Sequence, residues 1–281
     1  MQQIKADKSI FDNLLGLSCI ENYLLYVLKT RNINFWYLYA KSYLSLGEIY
    51  TAFFNEGIKY AFFYKIDRLQ DVASKAGLIS LETSVDLIEG IAGHEYCCIE
   101  VKPEYVQEQY GKNLWRNDHY VLLCEQHKDG YIYINDNPRD IKKIGYNEIL
   151  SVYAGQSLCF NIINESINDE TKHILLKTLK ASLFCEQSYK SISFDSLNVA
   201  RDVLGILRIT RRRISEFCSG YFITDFMDEY LSDLDKLYSN IEYMRLRRTA
   251  DFNKLNLQFA QIQKSDLDVN DILSRKLEDL S

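Results

Sequence analysis

The stretch Asn117-Asp118-His119-Tyr120-Val121-Leu122-Leu123, continued by Tyr131-Ile132-Tyr133-Ile134-Asn135-Asp136-Asn137-Pro138, decides how the chain is read. Two runs of β-branched and aromatic residues flank His127-Lys128-Asp129-Gly130, which holds turn chemistry, so the stretch reads as a β-hairpin. Side chains alternate faces along a strand. His119, Val121 and Leu123 therefore share one face, and Ile132, Ile134 and Asp136 share a face across the turn. A hairpin closed near residues 127–130 sets Asp136 opposite or diagonal to His119, within side-chain reach. An imidazole and a carboxylate on a buried face are costly without a purpose. One purpose is a base oriented by an acid. Such a pair needs a nucleophile, and Cys19 is the upstream candidate.

Residues 19–29, Cys-Ile-Glu-Asn-Tyr-Leu-Leu-Tyr-Val-Leu-Lys, read as a helix with a broad apolar face. Gly16 and Ser18 precede it, so Cys19 lies at the helix N-terminus. Unpaired N–H groups and the dipole there favour an anion, hence a thiolate. Taken alone, Cys19 reads more readily as a small buried residue that starts a core helix. Aromatics crowd residues 33–55 and fit core packing or pocket lining. Strands are expected over 58–64, 96–101 and 157–163, and short helices over 67–76, 82–92 and 147–154. Residues 104–118 read as a polar connection. Cys97 and Cys98 read as ordinary strand residues or as a vicinal redox pair.

The 281 residues suffice for one large domain or two ordinary ones. With 47% hydrophobic and 26% charged residues, the balance is that of a soluble globular protein. A net charge of −6 argues against nucleic acid as the main partner. The first residues lack the apolar core of a signal peptide, and no apolar run approaches the ~20 residues of a membrane span. Seven cysteines, an odd number in a chain of this size, suit free thiols in the cytoplasm. No CxxC pair or zinc-spaced cluster is present, His94 with Cys97 being the nearest, so no metal is expected. Nor is there a dinucleotide fingerprint or a P-loop. A bond-forming reaction would then need an acyl donor that arrives already activated.

Beyond residue 157 the texture changes, with Gly205 and Gly220 the only remaining glycines. Helical periodicity without breakers predicts helices near 169–187, 195–218, 222–248 and 268–279. The fold class expected is α+β, with an antiparallel sheet over 1–165 followed by an α-helical domain over 166–281. Arg208, Arg211, Arg212 and Arg213, with Arg245, Arg247 and Arg248, form the one basic concentration. It reads as a solvated helix face or as a docking patch for an acidic partner.

Cys at the start of a helix, then His119-Tyr120-Val121, then Asp136 near Pro138, resembles the papain-like cysteine-peptidase fold, including the bacteriocin leader peptidases. With Arg211-Arg212-Arg213 ahead of Phe217 in a helical second half, the chain looks more like the butirosin-type acyltransferases and similar amide synthetases of natural-product pathways. The resemblance implies a papain-like N-terminal domain. It also implies transfer of an acyl chain from the phosphopantetheine thioester of a carrier protein to an amine, without ATP and with no other cofactor. By the same resemblance Cys19 would be the nucleophile, His119 the base and Asp136 its orienter, with Asn137 as an alternative orienter. Asn13 would stand where the family has an oxyanion-binding Gln, and the Cys19 backbone N–H would be the second donor. A cysteine peptidase or thioesterase on the same triad, and a non-catalytic binding module, are the competing readings.

Overall fold

In a computed structural model, residues 3–56, 66–111, 119–183 and 192–280 are described. The strand expected over 58–64 lies outside them. The chain is mixed α+β, with one six-stranded antiparallel sheet and helices at the C-terminal end. It divides into two compact units, residues 1–35 with 68–168, and residues 36–67 with 169–281. The units are therefore not the contiguous halves 1–165 and 166–281: the aromatic segment after residue 35 belongs with the helices.

In the first unit, α1 (Cys19–Thr30) starts where Ser18 caps it, the hydroxyl accepting from Glu21 N–H at 3.2 Å. The Glu21 carboxylate accepts from the N–H of Leu17, the residue before the cap, at 2.7 Å. The Ser18 hydroxyl thus satisfies one N–H that the first turn would otherwise leave unpaired, and Glu21 holds the chain that leads into the helix. The other Glu21 oxygen accepts from Leu69 N–H at 3.0 Å and ties α1 to α3 (Leu69–Lys75), α2 (Leu46–Glu56) belonging to the second unit.

The sheet runs in the order β1 (Ile79–Ser84), β6 (Tyr153–Ile162), β2 (Tyr96–Val101), β3 (His119–His127), β4 (Gly130–Asp136), β5 (Arg139–Gly145). Three short helices accompany it: α4 (Leu87–Gly93), α5 (Pro103–Tyr110) and α6 (Tyr146–Val152). Val121, Tyr133 and Cys97 on one face of the sheet pack with Leu87, Tyr105 and Ile149 from these helices. The helix expected over 82–92 begins only at Leu87, because residues 79–84 pair with β6 as β1; Pro103–Tyr110, expected as a polar connection, forms α5, and β5 is a polar edge strand without an apolar run to mark it.

The hairpin turn is Lys128-Asp129, with His127 paired to Gly130. A Cβ at Gly130 would sit 2.0 Å from the Ile144 carbonyl oxygen of β5, so no larger residue fits. Beyond the turn the pairing departs from a plain hairpin. Glu125 faces Ile132, but Leu123 faces Tyr133, so Cys124 is one extra residue in β3, a β-bulge. Its carbonyl accepts from Ile4 N–H at 2.9 Å, which keeps the bulge satisfied.

The second unit holds a 3-10 turn at Trp36–Lys41, α2, and α7 (Asp169–Leu183), α8 (Leu197–Ser219), α9 (Asp228–Arg247) and α10 (Phe252–Glu278). The last helix starts much earlier than its apolar stripe suggests, because Asp251 caps it by accepting from Lys254 N–H at 3.0 Å. The arginine run is not one surface. Arg211 is fully buried, with Nε and Nη2 on the two Asp266 oxygens at 2.6 and 2.9 Å and Nη1 on Leu44 O at 2.9 Å. Arg213 is buried against Ser42 Oγ at 3.1 Å. Arg208 and Arg212 share Asp235, and Arg245 pairs with Glu242. Most of the run thus stitches the helices, and residues 36–67, into this unit. Among the described residues no helix is long and apolar enough to cross a membrane.

Candidate functional site

The bulge decides what meets His119. A hairpin without it would set Asp136 opposite Val121 and on the His119 face, as the sequence suggests. With Leu122 facing Ile134 instead, the register carried toward the strand ends sets Asn135 opposite Val121 and Asp136 opposite Tyr120. A one-residue shift exchanges the faces. Asn135 is the residue that reaches the imidazole: His119 Nε2 and Asn135 Oδ1 lie 2.7 Å apart, both residues being buried.

Asn135 also fixes the tautomer. Its Nδ2 donates to the Pro138 carbonyl at 2.8 Å, and a carbonyl only accepts. Asn135 Oδ1 must then face the ring as an acceptor, so Nε2 carries the proton and Nδ1 is the basic nitrogen. The orienter expected from the sequence was Asp136, with Asn137 as alternative; the hydrogen-bonded partner is the residue before both. Asn137 is exposed in the turn after β4.

Asp136 lies on the other face, toward α1. It accepts from Asn22 Nδ2 at 3.0 Å. The Tyr23 hydroxyl donates to Tyr120 O at 2.8 Å, accepts from Asp136 N–H at 3.2 Å and lies 3.4 Å from Asp136 Oδ1. Asn22 and Tyr23 follow Cys19 on the same helix, so one turn of α1 presents both the thiol and the groups that hold the carboxylate. Gly16 makes room for this: a Cβ there would sit 2.1 Å from Asn22 Oδ1.

Cys19 is half-buried at the first position of α1. Backbone N–H groups of Tyr120, Ile20 and Cys19 itself point at its sulfur and favour the thiolate. Burial, and then the Asp136 charge, outweigh them and push the thiol up to about 12. Burial lowers the His119 pKa against the raising effects of Asn135 and Asp136. Burial also raises the Asp136 carboxyl, against Asn22 and His119, which pull it down. Asp136 therefore interacts electrostatically with both the thiol and the imidazole, and burial favours the uncharged form of each.

Asn13 is exposed, in the left-handed region at φ 65°; its side chain is not among those bonded to Cys19, His119 or Asp136. The sequence reading missed Asn135, Asn22 and Tyr23. Helical spacing from Cys19 could have flagged Asn22, whereas nothing at Cys124 announces a bulge. Among the described residues no three His, Cys, Asp or Glu side chains are grouped to hold a metal ion. Compared with protein-family models and with curated proteins, the chain matches none.

Proposed function

We propose that the chain is a papain-like cysteine acyltransferase that forms an amide from a carrier-bound thioester and an amine, with Cys19, His119 and Asn135 as its catalytic group. The observation that carries this reading is the Asn135 bond to His119 Nε2, which turns a basic Nδ1 to the work of a general base while Cys19 starts a helix alongside the same carboxylate, Asp136. A Cys-leading helix against an antiparallel sheet whose strand opens with His supports the papain-like assignment.

Because burial favours the uncharged thiol and imidazole, the proton moves as the bond forms. Cys19 Sγ attacks the thioester carbonyl while its proton passes to His119 Nδ1. The carbonyl oxygen becomes an oxyanion, and backbone N–H groups at the start of α1 suit its stabilisation better than the exposed Asn13 does. The phosphopantetheine thiol leaves with the proton from the imidazolium. The amine then attacks the acyl-enzyme, His119 takes its proton, and Cys19 leaves as a thiol. Thioester plus amine gives amide plus thiol, which is downhill without ATP. A reducing cytoplasm suits a thiol nucleophile.

The test is intact mass spectrometry of wild type and Cys19→Ala after mixing with a simple acyl thioester. An acyl increment on wild type alone, discharged to an amide by an amine panel, supports the proposal. An increment discharged only by water makes the protein a thioesterase or peptidase instead. No increment and no thioester consumption removes Cys19 from catalysis.

A further inference from the structure

Cys97 and Cys98 do not act as a vicinal pair, because strand alternation sends them to opposite faces of β2. Cys98 lies on the face that carries Tyr120 and Asp136. Cys97 faces α4 and has a different partner. It is the register mate of Cys159 on β6, and the two sulfurs lie 3.1 Å apart. Both side chains are buried. The backbone of α4 passes close over the pair, a Cβ at Gly90 falling 3.2 Å from Cys159 Sγ. His94, at the end of α4, bonds through Nδ1 to Gly90 O at 3.1 Å and through Nε2 to Glu82 at 3.1 Å.

We propose that Cys97 and Cys159 are a second reactive site, a dithiol that a small hydroperoxide oxidises to a cross-strand disulfide. The two sulfurs are separated by about 1 Å more than a disulfide bond, on directly paired residues of neighbouring strands, so closure needs side-chain rotation and little backbone movement. The roles are unequal. The Cys97 S–H beside it above all, then Ser157 and the His94 charge, draw the Cys159 thiol down to about 7 against the effect of burial; the same neighbour and burial push Cys97 up. Cys159 Sγ also has the Ser157 hydroxyl 3.8 Å away, and in this proposal Cys159 makes the attack and Cys97 takes the resolving role.

The electrons balance in two steps. Cys159 Sγ attacks one peroxide oxygen, the O–O bond breaks, and the departing oxygen takes a proton to leave as an alcohol or water. Cys159 is then a sulfenic acid. Cys97 loses its proton and attacks Cys159 Sγ, displacing hydroxide, which leaves as water. Two thiols are oxidised and one hydroperoxide is reduced. A compact neutral oxidant is required because the pair is buried, which disfavours bulky disulfides such as oxidised glutathione as the first reactant.

The experiment treats the reduced full chain with hydrogen peroxide at neutral pH, blocks remaining thiols after denaturation, and maps peptides without reduction. The expected product is one Cys97–Cys159 disulfide, formed equally in Cys19→Ala and Cys98→Ser and absent in Cys159→Ser. In Cys97→Ser a dimedone adduct accumulates on Cys159. Retention of both thiols by the wild-type chain overturns the proposal. So does a disulfide that joins Cys98 or Cys19, or dimedone labelling of Cys97 in Cys159→Ser. The wild-type map stands whether or not the variants fold, and its outcome is independent of any chemistry at Cys19.

Discussion

Two buried polar clusters sit in the two units, and they are built on opposite principles. In the helical unit Arg211 spends Nε, Nη1 and Nη2 on Asp266 and Leu44 O, and the Tyr230 hydroxyl adds a bond to Asp266 at 2.5 Å. The guanidinium is fully buried, and the Asp266 charge favours its protonated form. The geometry of that network is closed. In the sheet unit Cys19, His119 and Asp136 are each pushed toward their uncharged forms by burial. A closed ion pair fixes structure, while a group of titratable side chains whose protonation is perturbed by burial is fitted to chemistry.

The largest expected effect tests the closed cluster. Arg211→Met leaves Asp266 buried without its counter-charge and costs ~3–5 kcal/mol of stability, read from urea denaturation. Arg211→Met with Asp266→Leu recovers most of that loss, since a buried ion pair and an apolar replacement differ little. Loss of only a few tenths of a kcal/mol in the single variant would mean that water reaches the pair, and the contrast between the clusters would fail.

The next effect separates the two candidate orienters. Asn135→Ala frees the imidazole to take the wrong tautomer and lowers the rate of Cys19 acylation by roughly 10²-fold, with the fold intact. Asp136→Asn keeps the Asn22 and Tyr23 neighbourhood and loses less. The reverse order, with Asp136→Asn the more damaging, would restore Asp136 as the orienter and discard the role of the bulge. Time-resolved intact mass spectrometry with the acyl thioester measures both.

That register is where the sequence stopped being legible. The hairpin, its turn, the Cys19 helix and the helical second half follow from local pattern, because strand alternation, turn residues and helix caps act over a few neighbours. The identity of the orienter depends on one unpaired residue, Cys124, in a run where Leu123, Cys124 and Glu125 are all ordinary strand residues. A bulge fixed by a distant contact, here Ile4 N–H on the Cys124 carbonyl, leaves no local mark. The arginines fail to read for a related reason. Arg208 and Arg212 look like Arg211 and Arg213 in sequence, and only the partners at Asp235, Asp266 and Ser42 divide them into rim and core. Arg213 on Ser42 Oγ and Arg211 on Leu44 O are also among the long-range bonds that tie the aromatic segment to the helices.

The smallest effect is the most direct reading of the open cluster. A thiol raised to about 12 is almost wholly protonated at neutral pH, so its alkylation by iodoacetamide should climb about tenfold for each pH unit between 7 and 9, without a plateau. Asp136 opposes the thiolate by its charge, so Asp136→Asn lowers the thiol pKa and speeds alkylation at a fixed pH by roughly threefold to tenfold, one pKa unit being a tenfold change in thiolate. Peptide-resolved labelling keeps Cys19 distinct from Cys159, whose thiol lies at about 7. A rate already flat from pH 6 upward would instead reveal a standing thiolate–imidazolium pair. In that case Asp136 stabilises His119 more than it repels Cys19, and proton transfer precedes substrate rather than accompanying it.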